Sequence, residues 1–402
     1  MQPFKPSKRT ETIEYAIRDI IGFAKNLEKK GKKILYLNIG DPVKYDFDTP
    51  QFIKQALCDA VNAGANWYAA SEGQQELKEA ICEKEKKVNN VDIRPEDVVV
   101  TAGVSEGIQM LTAAIVEKGD EILIPGPTYP PYISYTRFFE GKPISYRTLE
   151  DECWQPDLDD IRKKISKSTR AIVIINPNNP TGALYDEKTV KEMLSIAAEH
   201  ELLVLSDEIY DRIVYEKSFV STSHIAKDYP VVGLNGFSKA YLMTGWRLGY
   251  VYFHDPSGQL KELKECVEKE TRIRLSANTP VQKAGAVALR GPQDHIKEMV
   301  NQLRQRRDYI LKRLNKIEGI SCTKPEGAFY VFPKIEQIGS RWKNDMEFVL
   351  DVLNNTGVLF VPGSGFGEAY GSWHVRAVFC ASMETLEKAL DSLEEFMKKM
   401  TK

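Results

Sequence analysis

The stretch Ala171-Ile-Val-Ile-Ile-Asn-Pro-Asn-Asn-Pro-Thr-Gly182 changes character in a single step. Its first half is unbroken apolar chain, β-branched after the opening alanine, as suits a strand covered on both faces. Its second half is a turn too polar and too rich in proline to belong to a core. The same step recurs along the chain. Val98-Val-Val100 runs into Thr101-Ala-Gly103-Val-Ser105-Glu106, and Glu121-Ile-Leu-Ile124 into Pro125-Gly-Pro-Thr-Tyr129. Leu202-Leu-Val-Leu205 runs into Ser206-Asp207-Glu208-Ile-Tyr210, and Val231 to Leu234 into Asn235-Gly-Phe-Ser-Lys239; Leu248 to Phe253 reads as one more strand. From about residue 50 to 290, helical and strand patterns alternate with short connections. That alternation predicts an α/β domain with a largely parallel sheet and helices on both faces. In such sheets ligands gather at the carboxyl ends of the strands, where the polar residues just quoted lie.

The flanks read differently. Residues 11–30 have helical periodicity ending near Gly31, and Ile34 to Ile39 reads as a short strand. After Gly291 a charged helix is expected over roughly Gln293 to Ile317, then strands near Ile320–Thr323, Ala328–Pro333 and His374–Phe379. Leu386, Leu390, Leu393 and Met397 then stripe a terminal helix. These pieces predict a small α+β domain made of residues 1–49 and 291–402, beside a large domain over 50–290.

Bulk properties narrow the function classes. Among 402 residues, 55 are Lys or Arg and 57 Asp or Glu, a net charge of -2. A dedicated nucleic-acid binder carries a strong basic excess, so none is expected. The run Lys29-Lys-Gly-Lys-Lys33 reads as a solvated turn. The six cysteines form no C-x-x-C pair and no metal-like cluster with the five histidines, which fits reduced thiols. The polar N-terminus has no apolar signal core, and no apolar run reaches about 18 residues. A soluble cytoplasmic protein without a membrane partner is the expectation.

Lys239 stands where a buried strand ends, a costly position for a charge. Desolvation lowers an amine's pKa and makes it a nucleophile toward aldehydes. Ser238 precedes Lys239, and Thr244, Gly245 and Arg247 follow it, a set suited to a phosphate. Gly103 permits close backbone approach, and the free N–H groups at the start of the helical run from Gly107 onward favour an anion. Each residue also has a plainer use. Gly103 suits a tight turn, the Asn-Pro-Asn-Asn-Pro run a structural turn, Asp207 a helix N-cap, and Tyr129 a packed loop. Taken together on one sheet edge, a lysine, an acid, a phenol, an amide, an aromatic plate and a phosphate cradle describe one ligand. It is a flat, phosphorylated aromatic aldehyde, and pyridoxal phosphate has those needs.

The ordered runs Asn-Pro-Asn-Asn-Pro-Thr-Gly, Ser-Asp-Glu-Ile-Tyr and Ser-Lys-x7-Arg-Leu-Gly resemble those of the class I/II (fold type I) pyridoxal-phosphate aminotransferases, over essentially the whole chain. The resemblance implies the fold type I transferase architecture: a mainly parallel seven-stranded sheet in the large domain, plus the small α+β domain. It implies that Lys239 holds the cofactor as a Schiff base (aldimine) and serves as the catalytic base, and that Asp207 pairs with the ring nitrogen. It further implies that Tyr210 and Asn179 bond the ring oxygen, and that Tyr129 stacks on the ring. Ser238, Arg247 and the Gly103-Val104-Ser105 backbone would hold the phosphate. Tyr68, in Trp67-Tyr-Ala-Ala-Ser-Glu-Gly73, matches the tyrosine that family members lend to a neighbouring subunit's phosphate, so a homodimer with shared active sites is implied. Arg376, in His374-Val-Arg-Ala-Val-Phe379, matches the arginine that forks onto the substrate carboxylate, a geometry lysine cannot reproduce. Gly40 and Asn179 accompany it at the substrate. The run Pro362-Gly-Ser-Gly-Phe-Gly367 lacks dinucleotide-fingerprint spacing and is expected to be a mobile loop near the substrate.

On substrate, Leu37-Asn-Ile-Gly-Asp-Pro-Val-Lys-Tyr-Asp-Phe47 and Arg272-Ile-Arg-Leu-Ser-Ala-Asn-Thr-Pro280 look most like alanine (glutamate–pyruvate) aminotransferases. The expected reaction is L-alanine plus 2-oxoglutarate giving pyruvate plus L-glutamate, by a ping-pong route. Ser105 stands where some bacterial aspartate enzymes carry a lysine for the distal carboxylate. Arg272 and Arg274 are alternative partners for such a carboxylate, or structural residues. An aspartate or broad-specificity aminotransferase remains the alternative, then a pyridoxal-phosphate lyase. A transcription regulator would need a DNA-binding domain that residues 1–50, taken up by the fold, do not supply.

Overall fold

The computed structural model describes residues 3–13 and 16–400. In chain order the first nine strands are β1 Leu35–Tyr36, β2 Val98–Thr101, β3 Glu121–Gly126, β4 Lys142–Leu149, β5 Gln155–Pro156, β6 Thr169–Ile175, β7 Leu203–Asp207, β8 Val231–Gly236 and β9 Gly249–His254. All but β1 form one eight-stranded sheet in the order β2-β9-β8-β7-β6-β3-β4-β5. Pairings β4–β3, β3–β6, β6–β7 and β7–β8 are parallel, while β9 runs antiparallel to both β8 and β2. The sheet is thus mainly parallel, and seven strands remain when the two-residue edge piece β5 is set aside. β2 and β8 are buried along their whole lengths, as near-continuous apolar runs require. Strand β4 is absent from the sequence reading because Lys142-Pro-Ile-Ser-Tyr-Arg-Thr-Leu149 mixes polar and apolar positions near the sheet edge. This mainly parallel sheet is the α/β architecture expected from sequence.

The C-terminal segment opens with the helix Asp294–Leu314, whose buried stripe includes Ile296, Met299, Leu303, Ile310 and Leu314. Then follow β10 Ile320–Ser321, β11 Tyr330–Val331, β12 Lys334–Ile335, the helix Asp345–Thr356, β13 Val358–Leu359, β14 Val361–Pro362, β15 Val375–Val378 and the helix Met383–Met400. Strands β11, β15 and β14 make a three-stranded antiparallel sheet. Near the N-terminus, helices Ala16–Asp19 and Ile21–Glu28 lead to β1, which pairs in parallel with β13. Helix Asp345–Thr356 is missing from the sequence reading although its ends are well marked. Asn344 accepts the Glu347 N–H as N-cap, and Gly357 follows in the left-handed region at φ +80°.

Among the described residues no helix is long and apolar enough to cross a membrane. All six cysteines are free thiols.

Candidate active site

The carboxyl ends of β6, β7 and β8 open on a cavity of about 480 Å³, also walled by residues of the N-terminal segment and by β11 and β15. Strand β9 contributes although it runs backwards, because its beginning, not its end, lies at this edge.

An anion cradle forms first from backbone geometry. β2 ends at Thr101, and Gly103 (φ +80°) turns the chain into the helix Val104–Ile115. N–H groups in the first helical turn have no partner within the helix, so this end attracts anions. Both neighbours of the turn are fitted tightly. A Cβ on Gly103 would lie 2.5 Å from Arg247 Nη2, and one on Gly249 would lie 2.8 Å from the backbone carbon of Gly103 and the nitrogen of Val104. Arg247 itself adopts φ +56°, a conformation unfavourable for a side-chain-bearing residue. Its exposed guanidinium donates to the Ala102 carbonyl (3.1 Å) and the Thr244 carbonyl (3.2 Å). Ser238, Thr244, Gly245 and Ser105 complete this wall.

Lys239 follows β8 and donates from Nζ to the Gly40 carbonyl at 2.7 Å. Burial lowers its amine from the ordinary lysine value to about 8, with nearby Asp41 opposing the shift and Arg376 and Arg247 reinforcing it. Asp207 ends β7, and burial pushes its carboxyl up to about 6. The Tyr132 hydroxyl (3.1 Å) and the Ile209 N–H (3.3 Å) donate to it and hold it against that trend. A carboxyl so placed has little solvation of its own and gains from a cationic or N–H partner in the cavity.

On the opposite wall Arg376, from β15, is almost wholly buried. It donates from Nη1 to Asn179 Oδ1 (2.9 Å) and from Nη2 to the Asn38 carbonyl (2.6 Å). Its guanidinium carbon lies 4.6 Å from the Tyr330 ring centre and 4.7 Å from that of Phe366. Nε is buried with no hydrogen-bond partner among the described residues. The Tyr210 and Tyr330 hydroxyls meet at 2.6 Å.

Of the residues singled out from sequence, Gly40, Val104, Ser105, Tyr129, Asn179, Asp207, Tyr210, Ser238, Lys239, Arg247 and Arg376 line this one cavity. Gly103 backs it beneath Arg247. Tyr68 does not line it: its side chain is 79% exposed. Arg274 does not reach the cavity either. It ends the helix Lys261–Arg274, pairs with Glu106 (2.6 Å) and donates to the Ser71 carbonyl (2.7 Å), so it braces the cradle from behind. Arg272 is exposed and also lies outside. The glycine-rich run is packed rather than an open loop: Phe366 is fully buried, and a Cβ on Gly363 would meet the Gly371 and His374 carbonyls.

Ile17, Arg18, Ile39, Asp41, Ile209 and Tyr330 line the cavity and were not foreseen. Asp41 carried a signal in the turn Gly40-Asp-Pro, where it now accepts from the Thr244 hydroxyl at 2.8 Å. Tyr330 carried none, and Phe366 only its place in the glycine-rich run expected near the substrate; the tertiary fold brings both to Arg376.

Behind the strand ends lies a buried polar cluster. Helix Gln75–Lys84 continues as a π-helical turn, Glu85–Asn89, which aims Glu85 and Asn89 inward. Lys84 Nζ contacts Asp211 Oδ2 (2.5 Å) and Glu85 Oε1 (2.9 Å). Asn89 and Asn235 also donate to Asp211, at 3.0 and 2.9 Å. Asp211 lies in the turn four residues beyond Asp207, and Asn235 shortly precedes Lys239, so the cluster ties two site-bearing segments together.

The model for the family "Aminotransferase class I and II" matches residues 32–393. The chain belongs to the class I and II aminotransferases. It is 37% identical to the glutamate-pyruvate aminotransferase AlaA of Escherichia coli strain K12, covering 99% of this chain and 98% of that protein. It is 36% identical to a probable aspartate aminotransferase of Methanocaldococcus jannaschii, covering 97% of this chain and 99% of that one. Among solved structures, an alanine aminotransferase from Pyrococcus furiosus superposes with a TM-score of 0.96 at 57% identity, covering 98% of this chain and 100% of that one. This aminotransferase is therefore an enzyme that depends on pyridoxal phosphate. The cavity fits that group: the cradle excludes any side chain at 103 and 249, and an amine of lowered pKa faces it across from a desolvated carboxyl.

Proposed function

We propose that this aminotransferase moves the amino group of L-alanine to 2-oxoglutarate, giving pyruvate and L-glutamate by a ping-pong route. The observation that carries the reading is the shared cavity, in which the Lys239 amine, the Asp207 carboxyl and the Arg376 guanidinium are all wall residues. Lys239 would hold pyridoxal phosphate covalently. Asp207 would face its ring nitrogen, Tyr210 and Asn179 its ring oxygen, and Tyr129 its ring plane. Gly103, Val104, Ser105, Ser238 and Arg247 would hold its phosphate, with Tyr68 reaching in from a partner subunit of a homodimer. When bound, the group supplies an electron sink for the bond broken at the substrate's Cα.

The chain's own residues do the rest. Arg376, fixed by Asn179 and the Asn38 carbonyl, would receive the substrate carboxylate with Gly40 beside it, and so orient Cα. Lys239, with its amine lowered to about 8, would be the base that takes the proton from the substrate's Cα and hands it on across the amino nitrogen. Asp207, buried and held by Tyr132, would keep a proton on the ring nitrogen. In this reading residues 50–290 form the large domain and 1–49 with 291–402 the small one, and the enzyme works in the cytoplasm.

Alanine as donor is supported by the names of the Escherichia coli and Pyrococcus furiosus relatives. Serine at 105 and the engagement of Arg274 by Glu106 remove two cations that a distal carboxylate would use. Arg18, exposed on the cavity wall, supports acceptance of the dicarboxylate 2-oxoglutarate. The same cation favours aspartate as the second reading, in line with the name of the Methanocaldococcus jannaschii relative. A panel of amino donors against 2-oxoglutarate tests the choice. Alanine should give the highest kcat/KM, and faster turnover of aspartate would overturn the assignment. Stoichiometric formation of pyruvate and glutamate would exclude a lyase.

A further inference from the structure

We infer that Tyr330 is a positioning residue that joins the cofactor side of the site to its carboxylate clamp. The inference rests on the reading that Lys239 holds pyridoxal phosphate and Tyr210 bonds its ring oxygen. Tyr330 is buried on β11, and its two ends do different things. Its hydroxyl meets the Tyr210 hydroxyl at 2.6 Å. The same hydroxyl lies against Gly40: a Cβ there would sit 2.3 Å from it, so only glycine leaves room. Gly40 in turn accepts the Lys239 ammonium hydrogen bond at 2.7 Å. Meanwhile the Tyr330 ring packs on the Arg376 guanidinium, 4.6 Å from centre to carbon, with Phe366 on the same group at 4.7 Å.

The direction of the phenol pair follows from chemistry. A hydroxyl has one hydrogen to donate. If Tyr210 gives its hydrogen to the ring oxygen, Tyr330 must be the donor between the two phenols. A donor into Tyr210 polarises it and strengthens its own donation. Stronger donation stabilises the anionic form of the ring oxygen and lowers the pKa of the chromophore that oxygen belongs to. The ring has a separate task. Rings packed on a guanidinium hold its plane and favour its charge, which keeps the fork aimed at a carboxylate. Tyr330 therefore acts through Tyr210 at one end and through Arg376 at the other.

The two tasks separate by substitution. Tyr330→Phe removes the hydroxyl and keeps the ring, while Tyr330→Leu removes both. Each cofactor-loaded variant and the parent enzyme would be titrated with pH by following the visible absorption band. Each would then be titrated with propionate, a carboxylate without an amine, read by perturbation of the same band. Tyr330→Phe should raise the band's apparent pKa by roughly 0.5 unit or more, with propionate affinity within about twofold of the parent. Tyr330→Leu should raise the pKa similarly and weaken propionate about tenfold, the scale of a desolvated cation–ring contact. A Tyr330→Phe pKa within about 0.1 unit of the parent overturns the inference. So does a Tyr330→Leu enzyme that binds propionate as the parent does. A parent protein with no visible band would instead sink the proposed cofactor chemistry, and this inference with it.

Discussion

Gly249→Ala is a change of one methyl group on a buried strand, far from any substrate atom, yet it should cost cofactor affinity. The new Cβ would stand 2.8 Å from both the Gly103 carbonyl carbon and the Val104 nitrogen, and 2.9 Å from the Gly103 Cα. Carbon atoms rest at about 3.5–4.0 Å, so the strand and the turn must part by roughly 0.7–1.2 Å. All three opposing atoms are backbone, and no rotamer change relieves them. Either β9 moves, loosening its ladders with β8 and β2, or the Gly103–Val104 turn moves and the anion cradle opens. Overpacking of this kind costs about 1–3 kcal/mol. If the turn yields, that cost falls on phosphate binding and raises the cofactor's Kd about 5- to 150-fold. If the strand yields, the same energy appears as lost stability. The assay pairs titration of the apoenzyme with pyridoxal phosphate and denaturant unfolding of the same apoenzyme. A variant with cofactor Kd within twofold of the parent and unchanged unfolding free energy would refute the packing argument.

Two further predictions concern the neighbouring groups. The Lys239 amine is lowered to about 8 by burial, so its free-base fraction rises through that pH. Capture of pyridoxal phosphate by the apoenzyme should therefore quicken with a midpoint near about 8. A stopped-flow rate profile that keeps rising to the ordinary lysine value would contradict this. Lys84→Met removes the cation of the buried cluster and leaves Asp211 and Glu85 without it. Breaking a buried pair from one side costs about 3–5 kcal/mol, and a measured loss under about 1 kcal/mol would show that the cluster relaxes or takes up water.

Much of the central sheet was legible because most of its strands are buried on both faces, so each shows as an apolar run with an abrupt polar end. The polar ends then gave the sheet side of the cavity wall, since in a parallel sheet strand ends converge by topology alone, while the N-terminal segment and β11 added lining residues that no strand end marks. β4 escaped because its neighbours toward the edge leave polar positions tolerable, and its run loses the apolar signature. Arg274, read as a carboxylate partner or a structural residue, takes the structural role: Glu106 and backbone carbonyls claim it in the fold, a choice that one dimension leaves open. Tyr330 had no local mark, because a tyrosine within Ala328-Phe-Tyr-Val331 reads as a core strand residue. It is a core residue whose hydroxyl ends at Tyr210 and whose ring lies under the Arg376 guanidinium.

The reversal of β9 has a consequence for how the site can change. Because β8 arrives at the cavity and β9 departs from it, the chain between Gly236 and Gly249 begins and ends at the same edge, closed by their direct pairing. Ser238, Lys239, Thr244, Gly245 and Arg247 all ride on that one excursion. The Lys239 amine and the Arg247 guanidinium thus form a single cassette of fixed length, whose ends are locked by two glycines in contact. Inserting or deleting one residue there would slip the ladder and turn every β9 side chain to the other face of the sheet. Transplanting the whole excursion between related sheets, by contrast, would carry both functions together. Loops elsewhere around the cavity can vary one contact at a time, but this one can only be exchanged entire.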